Sequence, residues 1–200
     1  MALGDSYTIG TGVSPSDSWP NQLVAALDGK LPLQLVANLG VNGYSSAQLV
    51  RDELPALARL QPDFVSILIG VNDVVRGVPI DRYRQNVTLI FETVDALLQP
   101  DRVLVVSIPD YTLTPAGATY GGVEQREGIA RFNEAMEAAC ADCGVAFVDI
   151  SSIADQVERD PRLVASDGLH PSGLQYTGWV RLISVVVESL LVGSPRGQRA

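Results

Sequence analysis

The 200-residue chain contains one histidine, His170, and two cysteines, Cys140 and Cys143. Two thiols are too few for a disulfide scaffold, and a single imidazole without clustered His and Cys partners gives no zinc site, so no metal is expected. Any chemistry that needs a histidine base must use His170. Runs of Lys and Arg are missing as well: 14 basic against 23 acidic residues give a formal charge of −9 and a pI near 4.5. Such a surface repels phosphate backbones and anionic headgroups, so no nucleic-acid partner is expected. No apolar run approaches the ~20 residues that span a bilayer, and the strongest near the end, Leu182 to Val187, stops at Glu188, so stable membrane insertion is not expected. The opening Met1-Ala2-Leu3-Gly4-Asp5 has neither the basic start nor the apolar stretch of a secretory signal. It reads as cytoplasmic as given, with secretion left open should residues be missing before Met1.

What is present is a globular composition. Hydrophobic residues make up 46% and charged residues 18% of 21.3 kDa, enough to fill one core, so residues 1–193 read as a single domain and 194–200 as a flexible tail. Short β-branched runs alternate with segments of helical period, the pattern of a parallel sheet covered by helices on both faces. Five strands are predicted: Met1–Leu3, Leu33–Asn38, Phe64–Ile69, Val103–Ile108 and Val145–Ile150. The middle three are nearly all apolar, as strands buried on both faces should be. Helices are predicted from Ser18 to Leu27 with Ser18 as cap, from Ser45-Ser46 to about Leu60, from Ile80 to Leu98, from Val123 to Cys143 ending at Gly144, and from Ser172 to just before Gly193. The fold class is therefore α/β, a three-layer α/β/α domain with a five-stranded parallel sheet in flavodoxin-like order. Loops rich in Gly, Pro, Ser and Thr fall at the carboxyl ends of the strands, the edge where open parallel sheets bind ligands.

Four of these loops carry chemistry. His170 lies in Ser166-Asp167-Gly168-Leu169-His170-Pro171, where a carboxylate three residues upstream can fold back to orient the ring. Ser6 lies in Leu3-Gly4-Asp5-Ser6-Tyr7, where a strand runs into a glycine-bracketed turn, and a bland reading makes Asp5 and Ser6 local backbone caps. Asn38-Leu39-Gly40-Val41-Asn42-Gly43-Tyr44 and Gly70-Val71-Asn72-Asp73 supply glycine N–H groups and an amide of the kind an oxyanion needs, while a simple turn and a helix cap are the alternatives.

Together, in this order, the four blocks resemble the SGNH hydrolases, the GDSL esterase/lipase family, over Gly4 to Pro171. The resemblance implies Ser6 as nucleophile from Gly4-Asp5-Ser6, an oxyanion glycine at Gly43 with Gly40 as second choice, an oxyanion asparagine at Asn72 from Gly70-Val71-Asn72-Asp73, and Asp167 with His170 from the last block. The oxyanion hole is then the backbone N–H of Ser6, that of Gly43 and the Asn72 amide. One departure is that only Met1-Ala2-Leu3 precede the serine block where ~5–6 strand residues are usual, which suggests residues lost upstream. The implied activity is carboxylic ester hydrolysis through an acyl-enzyme, without cofactor, on a small-molecule ester. Activity should rise through the ordinary imidazole range, about pH 6–7.

Short-chain acyl esters are favoured, with lysophospholipids, thioesters and acetylated sugars as alternatives within the family. A non-catalytic small-ligand module on the same scaffold is the alternative of another class. A mononucleotide site lacks its glycine motif, and the absence of G-x-S-x-G disfavours a standard α/β-hydrolase. Cys140-Ala141-Asp142-Cys143 has redox spacing but shares an apolar helix face with Ile129, Phe132 and Met136, which argues for packing. Trp19 and Trp179 read as packing residues. The loop Asp110 to Gly122 reads either as a mobile rim of the pocket or as a solvent loop.

Overall fold

A computed structural model describes residues 1–193; the predicted tail, 194–200, lies outside the described residues. Four parallel strands form the sheet: β1 (Ala2–Gly4), β2 (Val65–Leu68), β3 (Val103–Val106) and β4 (Ala146–Val148), in the spatial order β1-β2-β3-β4. The registers place Leu3 beside Ile67, Ile67 beside Val105 and Val105 beside Phe147. Every residue of β1, β2 and β3 is buried, as strands covered on both faces require.

The predicted strand Leu33–Asn38 is the correction. It lies beside β1, where Ala2 donates to the Ala37 carbonyl at 3.0 Å and Leu39 donates to the Ala2 carbonyl at 2.9 Å, but it makes a single parallel bridge, Ala2 to Asn38. Residues 33–36 make no further bridge to β1. They are not buried on both faces either: Leu33 and Leu35 are half-buried, Gln34 and Val36 exposed, as on an edge. Counting this bridge, the chain visits the sheet in the flavodoxin-like order.

The helices are α1 (Ser6–Ile9), α2 (Trp19–Leu27), α3 (Ser46–Gln48), α4 (Pro55–Leu60), α5 (Val71–Val75), α6 (Ile80–Asp95), α7 (Gly122–Cys143), α8 (Ser151–Ala154) and α9 (Gly173–Gly193). Helices α2 and α9 pack on each other, as do α6 and α7, and β4 touches both α7 and α9. Trp19 of α2 and Trp179 of α9 are fully buried, in accord with a packing role. Ser18 precedes α2, but its hydroxyl donates back to the Pro15 carbonyl at 2.9 Å instead of capping the helix.

The helix expected from Ser46 to Leu60 is interrupted. Residues Leu49–Glu53 form a π-turn between α3 and α4, with Leu54 donating five residues back to Leu49 at 3.1 Å. Pro55, at the head of α4, has no N–H to continue a regular ladder, and a turn with one extra residue lets the chain pass it. Cys140 is buried near the end of α7, where burial pushes its thiol up to about 12. A redox thiol at a helix N-terminus would be pushed the other way.

Candidate active site

Gly4 ends β1, and Asp5 turns the chain into α1 by accepting the Tyr7 N–H on its carboxylate at 2.9 Å. This sets Ser6 at the first position of a one-turn helix on the carboxyl edge of the sheet, 4% exposed. Among the described residues, no protein group is hydrogen-bonded to the Ser6 hydroxyl or to its backbone N–H.

Opposite α1, the loop 166–171 folds around Asp167. One carboxylate oxygen accepts the backbone N–H groups of Leu169 and His170 at 2.9 and 3.0 Å; the other lies 2.6 Å from His170 Nδ1. Burial works to raise the Asp167 carboxyl, but the hydrogen bonds from the His170 ring and from both N–H groups outweigh it and hold the pKa below the usual value. The carboxylate thus stays charged and keeps the Nδ1 hydrogen in place, leaving Nε2 to face outward from the pair. The His170 ring centroid is 5.4 Å from that of Tyr7, the residue after Ser6. Tyr7 is held in turn by Tyr176 of α9, whose hydroxyl donates to the Tyr7 carbonyl at 3.0 Å. Two ends of the sequence are therefore brought together, although His170 and Ser6 are not hydrogen-bonded to each other. Such contacts commonly tighten only when substrate is present.

The loop 39–46 approaches from the other side. Gly43 adopts φ +81°, a conformation that glycine takes without strain, and its N–H has no protein acceptor among the described residues. The alternative, Gly40, is buried, and a Cβ there would come within 2.8 Å of the Asp5 carbonyl; its N–H is already donated to the Asn38 side chain at 3.1 Å. Of the two glycines, Gly43 offers the free donor. Asn72, at the start of α5, differs from expectation. Its amide donates to the Tyr44 carbonyl at 3.0 Å and, more weakly, to Asp5 at 3.4 Å, so both of its hydrogens already have acceptors.

Several residues that hold this site were given no part in it by the motifs. Asp73 accepts the Ser46 N–H at 2.7 Å and the Ser46 hydroxyl at 2.6 Å, and Asn86 of α6 donates to that same hydroxyl at 2.8 Å. This buried network ties the Gly43 loop to the helix bearing Asn72. Arg76 bridges the same elements from outside, donating to the Gly43 carbonyl at 2.7 Å and to Gln48 at 2.9 Å. Glu53, 3% exposed, donates nothing but accepts the Gly4 N–H at 2.8 Å. The available signal was a polar residue on a core-facing helical position: Asn86 stands among Tyr83, Val87 and Ile90, and Glu53 among Leu49, Leu54 and Leu57.

The loop after β3 is ordered by its own contacts. Tyr111, Thr112 and Thr114 are buried, Asp110 accepts the Thr112 N–H at 2.9 Å and Arg126 at 2.8 Å, and Tyr111 with Thr114 lines a small cavity shared with Tyr7 and Leu169. Among the described residues no group of His, Cys, Asp and Glu is arranged to hold a metal ion, and no helix is long and apolar enough to cross a membrane.

The chain is 29% identical over 177 residues to thioesterase 1/protease 1/lysophospholipase L1 of Escherichia coli K12, covering 86% of this chain and 74% of that protein. It superposes on the crystal structure of TesA with a TM-score of 0.75 at 23% identity, over 94% of this chain and 97% of that one. An acetyl xylan esterase from Geobacillus stearothermophilus gives a TM-score of 0.74 at 21% identity, over 93% and 92% of the two chains. These likenesses in structure establish the fold. Residues 2–177 match the GDSL-like Lipase/Acylhydrolase family, and the chain belongs to that family of carboxylic ester hydrolases.

Proposed function

We propose that the protein is a serine esterase in which Ser6, His170 and Asp167 form the triad. The observation that carries this reading is the Asp167–His170 pair, closed at 2.6 Å and packed against the residue that follows Ser6. Ser6 Oγ attacks the ester carbonyl as His170 Nε2 takes its proton, and Asp167 stabilises the imidazolium. The tetrahedral oxyanion is met by the uncommitted N–H groups of Ser6 and Gly43, with Asn72 turning its amide from Tyr44 as the third donor. The C–O bond to the alcohol then breaks, His170 returns the proton to the departing alkoxide, and an acyl-enzyme remains. Water, deprotonated by His170, attacks the acyl-enzyme, releasing the acid and restoring Ser6.

Short-chain acyl esters are the proposed substrates. Thioesters and lysophospholipids are the second reading, favoured by the likeness to the Escherichia coli enzyme over 86% of the chain. Hydrolysis of nitrophenyl acetate, butyrate, octanoate and palmitate beside an acyl thioester and a lysophospholipid separates them. Preference for acetate or butyrate supports the first, and preference for octanoate, palmitate, the thioester or the lysophospholipid supports the second.

A further inference from the structure

The backbone around β1 contains a substitution in its ladder. On the open side of this strand, Ala2 donates to Ala37 and Leu39 donates to Ala2. Regular parallel pairing would next have Gly4 donate to the Leu39 carbonyl. Instead, Gly4 donates to Glu53 Oε2 at 2.8 Å, and pairing resumes where Val41 donates to the Gly4 carbonyl at 3.2 Å. A carboxyl side chain has taken the place of a backbone acceptor two residues before Ser6. The π-turn delivers it, because Leu49 and Glu53 are the buried residues of that turn while Arg51 points outward to Asp52 at 2.6 Å. The second oxygen, Glu53 Oε1, is buried without a hydrogen-bond partner.

We propose that Glu53 is a positioning residue of the active site, its carboxyl completing the β1 ladder at Gly4 and so fixing the turn that presents Ser6. This rests on the reading of Ser6 as nucleophile. Among the described residues no cation meets a bare carboxylate at this place. The charged groups that act on it are Asp5, at the end of β1, and Asp52, in its own turn; both repel a negative charge. Burial raises the Glu53 carboxyl to about 8, although the Gly4 hydrogen bond acts in the opposite direction. Asp5, also buried, is raised only to about 7, with the Tyr7 N–H and the Asn72 amide supporting its charge. Both carboxyls are raised by burial and each repels charge on the other, so an ionised Glu53 meets a like charge once Asp5 is also ionised. The ionised pair, one residue apart along the Gly4–Asp5 backbone, then strains the strand end that sets Ser6.

The test is the rate at which a nitrophenyl phosphonate labels Ser6, measured from pH 6 to 10, alongside kcat and KM at pH 7. In the wild type the labelling rate should fall above about pH 8. Glu53→Gln keeps a carbonyl acceptor for Gly4 but cannot ionise, so it should label at a wild-type rate at pH 7, within about twofold, and hold that rate to pH 10. Glu53→Ala should lower kcat about tenfold to a hundredfold at unchanged KM, the size expected of a misplaced reacting group. A purely structural Glu53 would alter melting in both variants but leave the alkaline fall where it was. The proposal is overturned if Glu53→Gln shows the same fall as the wild type, or if folded Glu53→Ala keeps wild-type kcat. A wild type that is never labelled overturns the Ser6 reading itself, and this one with it, so the two failures are distinct.

Discussion

The backbone N–H of Ala116 donates to the carbonyl of Gly168 at 2.9 Å, so the loop after β3 is fastened to the turn that holds Asp167 and His170. The loop also carries the Asp110–Arg126 pair and the Asp110 cap of Thr112. It is a brace for the His170 turn.

Removing these ties should grade by burial. The Arg126 side chain is 56% exposed, so Arg126→Gln should cost below about 1 kcal/mol and leave kcat nearly unchanged. Asp110→Ala also deprives Thr112 of its cap and should cost about 1–2 kcal/mol while lowering kcat. Urea melts and nitrophenyl butyrate kinetics of both variants check the order.

Gly12→Ala should disable the site without unfolding the protein. At φ +88°, a Cβ would lie 3.1 Å from Asp167 Oδ2 and 3.0 Å from the Ala165 Cβ. The left-handed conformation costs about 1–2 kcal/mol for a residue with a side chain. The Asp167 carboxylate end must give way, and its displacement breaks the 2.6 Å contact with His170. A drop in kcat with circular dichroism unchanged is the expected result.

Asn72→Ala should reduce kcat by ~10²–10³ in a folded protein, the usual loss for one oxyanion donor. Because the Asn72 amide also holds the Tyr44 carbonyl, a raised KM should accompany the loss. Wild-type turnover in this variant would remove Asn72 from the oxyanion hole.

The local geometry around Ser6 and His170 was legible because each block is short. Asp167 and His170 are three residues apart in one turn, and Gly4-Asp5-Ser6 is a strand end, so neither depends on what packs against it. Gly43 and Asn72 were legible as donors, but the commitment of the Asn72 amide to Tyr44 and Asp5 was not, since it depends on how two loops meet. The Leu33–Asn38 strand was misjudged because its composition resembles a buried strand, whereas it lies half-exposed beside β1 and meets it at one bridge. The break in the helix after Ser46 had a visible cause in Pro55, which the apolar period overrode. Glu53 gave only a weak sign, a charge on a core-facing position, and its partner Gly4 is 49 residues away.

Stability should fall as pH rises from about 5 to 8. Asp5 and Glu53 are raised by burial to about 7 and about 8, so between their ordinary values and these the folded state holds more protons than the unfolded state. The slope of stability with pH is then negative, and the contribution present in acid is lost as pH passes through 7 and 8. Asp167, held low, acts with the opposite sign, losing its contribution as pH falls below the ordinary carboxylate range. Melting temperature at pH 5.5 should exceed that at pH 8, and Asp5→Asn with Glu53→Gln should flatten the difference.

The triad is tested by nitrophenyl ester hydrolysis by the wild type, Ser6→Ala and His170→Ala, each checked for folding by circular dichroism. Turnover by the wild type and its loss in both folded variants are expected, with phosphonate labelling confined to Ser6. Turnover that survives in folded Ser6→Ala, or a folded wild type that neither hydrolyses ester nor takes the label, would contradict the triad.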